Sequence, residues 1–78
     1  MNKQLDNLIV FFDTVPLPDR IVMPPPITAV HNTATFVQQN LASLKTYWGK
    51  RLARAHLQRL RLIIEQMGYD FKTVLGEK

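Results

Sequence analysis

The chain has no cysteine, which excludes a disulfide framework, a thiolate metal site and a thiol nucleophile, and fits a reducing compartment. Serine is nearly as scarce: Ser43 stands alone, with no histidine near it in sequence, so a serine triad has nothing to build on. The two histidines, His31 and His56, fall in different segments and lack metal-ligand spacing, a carboxylate pair or a glycine-rich phosphate loop around them. His56 reads as a satisfied core or bundle-edge residue, and His31 as a solvated one. Asp6 and Asp13 share a helical face by their seven-residue spacing and read as surface charges. No run approaches the ~20 apolar residues needed to cross a bilayer, and a basic leader followed by an apolar stretch is missing at the start. These absences lead us to expect a cytoplasmic, non-catalytic domain with no cofactor, no metal, no membrane contact and no small-molecule substrate.

What is present is enough to fold. At 78 residues and 46% hydrophobic content, the chain makes one domain near the lower size limit for a single apolar core, and it is too hydrophobic for wholesale disorder. Periodicity divides it into an all-α arrangement: a small three-helix bundle with an ordered proline-rich crossover and a short C-terminal turn. Helix 1 spans about 2–13, with Asn2 as its cap, Leu5, Leu8, Ile9 and Phe12 as its stripe, and Val10 and Phe11 widening the buried arc. A strand is the competing reading of Ile9–Phe12, but no partner strand stands out elsewhere. Residues 14–32 carry all five prolines. Pro24-Pro25-Pro26 should adopt polyproline II, and the interleaved Leu17, Ile21, Val22 and Met23 mark the segment as an ordered strap laid across the helices, its apolar side chains completing the core, rather than a linker.

Helix 2 covers about 33–47, capped by Asn32 or Thr33, with Phe36, Val37, Leu41, Leu44 and Trp48 as its stripe. Gly49 makes the turn, and helix 3 covers about 51–67, with residues 50–54 readable as loop or first turn. Ala53, Leu57, Leu60, Ile64 and Met67 form its buried arc, and Leu57, Leu60 and Ile64 are assigned to structure. Gly68 stops it, and the tail, 68–78, packs back through Tyr69, Phe71, Val74 and Leu75, with Asp70 as a cap.

Charge is concentrated. Six of the ten basic residues (Lys45, Lys50, Arg51, Arg54, Arg59 and Arg61) lie between positions 45 and 65, against one acid there, Glu65. Lys50, Arg51, Arg54 and Arg61 are the candidate face for an anionic partner. The plainer reading is a solvated helix side with Arg61 and Glu65 paired at four-residue spacing. A second candidate surface is apolar: Ile21, Val22, Met23 and Leu62 exceed what so small a bundle should bury, and exposed apolar surface marks interfaces. The leading expectation is therefore a protein-interaction or self-associating module, with a protein partner or a second copy as its target. Nucleic-acid binding through the basic face is the alternative, since the helix 2–turn–helix 3 order superficially matches a helix-turn-helix.

Phe11-Phe12, Pro16-Leu17-Pro18, Ile27-Thr28, Phe36-Val37, Leu41, Leu44, Gly49-Lys50-Arg51 and Leu57-Gln58-Arg59-Leu60-Arg61 together resemble a family of short bacterial domains of unknown function, over roughly residues 5–67. The resemblance implies a small helical domain and no established activity. This chain has Ala29 where an acid commonly follows the Ile-Thr pair.

Overall fold

The computed structural model describes residues 3–22, 30–48 and 53–76. In chain order they form α1 (Lys3–Thr14), β1 (Arg20–Val22), β2 (Val30–Asn32), α2 (Thr33–Tyr47), α3 (Ala53–Gln66) and α4 (Phe71–Leu75). The chain is mostly helical, as expected. Beyond the three expected helices, the described part has a fourth short helix where a short C-terminal turn is expected, and a strand pair within the crossover.

Leu5, Leu8 and Phe12 recur at the spacing of a helical turn and are all buried, which holds α1 against the core. The buried arc is narrower than anticipated: Val10 is 58% exposed and Phe11 half-buried. Phe11 instead makes edge-to-face contacts with Phe12 and Tyr69, at centroid distances of 5.2 and 5.1 Å. Asn2, expected as the cap of this helix, lies outside the described residues.

The crossover holds its shape partly by pairing with itself. β1 and β2 run antiparallel, with Arg20 opposite Asn32, Ile21 opposite His31 and Val22 opposite Val30. The Thr33 amide extends the ladder by donating to the Asp19 carbonyl at 3.0 Å. β-Branched Ile21, Val22 and Val30 suit a pleated strand. Each strand, at three residues, is too short to show period-two alternation, so the sequence pattern alone does not distinguish it from an extended strap. Pro24-Pro25-Pro26 and Met23 lie outside the described residues.

The ladder delivers the chain into α2. Asn32 leaves it in extended backbone geometry, and its side-chain oxygen accepts from the Thr35 amide at 3.0 Å, capping the helix. α2 buries Phe36, Val37, Leu41 and Leu44, and α3 faces it with Ala53, Leu60, Ile63 and Ile64. A polar bridge crosses between the two helices. The buried Asn40 amide nitrogen donates to the Phe36 carbonyl at 2.8 Å, so its oxygen must face His56, whose Nδ1 stands 3.0 Å away. An acceptor there requires the proton on Nδ1 of His56. The histidine is thus a satisfied bundle residue.

α3 ends in a Schellman motif. Gly68 takes a left-handed φ of 89°, the Gly68 amide donates to Glu65 and the Tyr69 amide to Ile64. After this turn Asp70 accepts from the amide and hydroxyl of Thr73, capping α4. α4 lies against α1, and its far end is fixed by Asn7, whose side-chain amide donates to the Leu75 carbonyl at 2.9 Å. Phe71 and Leu75 complete a core that draws on α1, β1, α2, α3 and α4.

Two stability experiments follow. Gly76 has a φ of 85°, and a Cβ there would stand 2.7 Å from the Asn7 amide nitrogen, whereas one at Gly68 would meet open space. Urea denaturation should show Gly68→Ala losing about 1–2 kcal/mol from left-handed backbone strain, and Gly76→Ala losing about 1 kcal/mol more through the displaced Asn7 bond. Equal losses would show that the Asn7 contact contributes nothing. Thr33 is 0% exposed, and its hydroxyl has no hydrogen-bond partner among the described residues. Thr33→Val should therefore raise stability by about 1 kcal/mol in the same assay; a loss would reveal a partner for the hydroxyl.

Candidate functional site

On α3, residues spaced three and four apart share a side. Arg54 and Arg61 project within about 20° of each other around the helix axis, while Arg59 points about 140° away. The basic residues of this segment therefore do not share one surface. Arg54, Gln58, Arg61 and Glu65 form the exposed outer stripe. Leu57 stands beside them, half-buried, whereas Ala53, Leu60, Ile63 and Ile64 are buried.

Two adjoining clefts open over this stripe. One, of about 480 Å³, is bounded by Gln4 of α1, by Trp48 just past α2, by Leu57, Arg61 and Glu65 of α3, and by Asp70, Phe71, Lys72 and Leu75 around α4. The other, of about 460 Å³, is bounded by Arg54, Ala55, Leu57, Gln58 and Arg61, with Phe71 at its margin. Leu57, Arg61 and Phe71 belong to both, so the clefts form one groove along α3. Trp48 is positioned by its backbone, which turns to an extended ψ of 132° and ends α2.

The charges along the groove differ in how far they are already engaged. The Arg61 Nε donates to Glu65 Oε1 at 2.8 Å, the four-residue pairing expected from sequence. Both side chains are about half exposed (48% and 46%), so the pair adds little stability. The same guanidinium sits 5.7 Å from the centre of the Phe71 ring, a cation–π contact that ties α3 to α4. Asp70 is held by the Thr73 hydroxyl and amide, with Lys72 and Arg61 nearby, and these hold its carboxyl below the ordinary value for an aspartate. Arg54 is exposed and has no ion pair among the described residues.

The structure sorts the expected site residues into separate places. Arg54 and Arg61 border the groove; Lys50 and Arg51 lie outside the described residues. Of the expected apolar surface, the described side chains are those of Ile21 and Leu62. Ile21 is a buried core residue, because the β ladder turns it inward. Leu62 is half-buried and packs against the core. Val22 pairs in β1, its side chain lies outside the described residues, and so does Met23. Leu57, assigned to structure, packs against the core and also lines both clefts. Sequence reading missed Phe71 and Lys72 as groove residues, because it takes the Schellman turn to bring α4 back beside α3, where Arg61 meets the Phe71 ring. Among the described residues no group of three or more His, Cys, Asp or Glu side chains is placed to hold a metal, and no helix is long and apolar enough to cross a membrane.

The Asp70 cap predicts a pH response with a definite sign. A carboxyl held low in the folded state stabilises the fold above the ordinary carboxylate range, and that contribution disappears as pH falls through the folded-state value. Acidification should therefore loosen α4 and move the emission of Trp48, the only tryptophan, toward that of a solvated indole. Asp70→Ala should show the loosened emission already at neutral pH and a flatter acid titration. Identical titrations of the two proteins would sever the link between cap and groove.

Comparison with known proteins adds a family and nothing more. Neither curated proteins nor solved structures provide a match. One family model, described as "Domain of unknown function (DUF6965)", matches residues 3–67, a span running from α1 through α3 and agreeing with the resemblance read from the sequence. The chain belongs to this family.

Proposed function

We propose that this chain is a non-catalytic protein-interaction module that docks a short apolar peptide segment of a partner protein in the groove over α3. The observation that carries the reading is Leu57: it belongs by spacing to the apolar arc of α3, yet it is only half-covered and floors both clefts. Trp48 and Phe71 flank it, and aromatic side chains of this kind make effective anchors because they bury much area with few rotatable bonds. The groove is open to solvent, and the two carboxylates that border it, Asp70 and Glu65, are engaged in a cap and an exposed ion pair. Self-association through Ile21 and Leu62 loses its support, since both are used by the core. The nucleic-acid reading is weakened by Arg61, already engaged with Glu65 and Phe71, and by the divergent direction of Arg59.

Peptides selected from a randomised library on the immobilised domain should shift Trp48 emission on titration. Leu57→Asp should weaken them at least tenfold while leaving the circular dichroism spectrum unchanged. Equal binding to both proteins would place the site elsewhere. A domain that selects no peptide but binds a DNA duplex with steep salt dependence would transfer the function to the basic residues.

A further inference from the structure

Taking the groove as a peptide-docking site, we infer that its partner segment is acidic at one end: a helical peptide of about three turns, with apolar anchors one turn apart and carboxylates beyond them, lying with those carboxylates over Arg54. The groove is polarised along its length. At the α4 end the charges are mixed and engaged: Glu65 is paired with Arg61, and Asp70 holds the start of α4, with Lys72 beside it. At the other end Arg54 borders the second cleft together with Ala55, Leu57, Gln58, Arg61 and Phe71, and no carboxylate among the described residues borders that cleft. Arg54 also stands in the first turn of α3, where the helix dipole adds positive potential. An anion is therefore favoured at one end of the groove and not at the other.

The dimensions and floor select the kind of anion. From Arg54 to Glu65 the groove follows α3 for about 16 Å, the length of about 11 helical residues. Among the described residues a phosphate backbone of that length would leave the Arg54 end for an apolar stretch of Leu57, Trp48 and Phe71 and then the carboxylates of Glu65 and Asp70, whereas an amphipathic segment with its acids at one end matches both surfaces. The net charge of +4 further favours encounter with an acidic segment.

The test uses three synthetic helical peptides with identical apolar anchors and a terminal pair of Glu, Gln or Lys, each made with the pair at either end. They are titrated into the full chain by Trp48 emission at about 50 mM and about 500 mM salt. The Glu peptide should bind about fivefold more tightly than the Gln peptide, the Lys peptide more weakly than either, and the differences should shrink at high salt. Arg54→Glu, a change on an exposed side chain, should invert the order. Equal binding of all three peptides, or an order that Arg54→Glu leaves intact, overturns the acidic partner while leaving peptide docking in place. Failure of every peptide to bind overturns both.

Discussion

Scarcity of apolar material is the constraint on which this structure depends. A chain of 78 residues lies close to the size at which a single core ceases to hold, and three helices do not supply that core by themselves. Ile21 comes from a strand of three residues, and Phe71 and Leu75 from a helix of five. Neither element has enough length to be stable in isolation. Each exists because its side chains are wanted by the core and because a specific polar contact holds its backbone: the Thr33–Asp19 bond for the ladder, and the Asp70 cap with the Asn7–Leu75 bond for α4.

The groove is a by-product of that economy. α4 is long enough to close the core against α1, but too short to cover the outer side of α3. Leu57 and Trp48 are left between two jobs, partly packed and partly open. Arg61 bridges the gap with its charge on Glu65 and its flat guanidinium over Phe71. Arg54, one end further along, has no such engagement among the described residues. The contrast between the two arginines, alike in sequence, gives the surface a direction.

The helices were legible in the sequence because their signals are local. Asn32 precedes an apolar stripe and caps α2; Gly68 follows one and ends α3; Asp70 stands three residues before Thr73 and caps α4. The Arg61–Glu65 pair was legible for the same reason. What failed was knowledge of which side of an element another element would cover. Ile21 carried two readings, a strap residue completing the core and surplus apolar surface, and it lies in the core; Leu62 read as surplus because the periodic pattern does not reveal that the core reaches the flank of α3. Leu57 looked buried because periodicity gives an arc but not where its edge is left uncovered. Val10 looked buried for the converse reason. The groove is formed by residues between positions 4 and 75, so no single window of sequence contains it.

The Asn7–Leu75 hydrogen bond joins positions 68 apart, and this bears on the order of events during synthesis. During synthesis α1 emerges well before α4, one of the elements it packs against. Helices α2 and α3 can meet early, since only a short connection separates them, but the loop that α1 must close is nearly the whole chain. Part of its apolar face must therefore wait, exposed or on provisional contacts, until Phe71 and Leu75 are made. A release factor or a stalled codon just before Phe71 would leave a chain carrying every element of the family match and yet lacking the part that closes it.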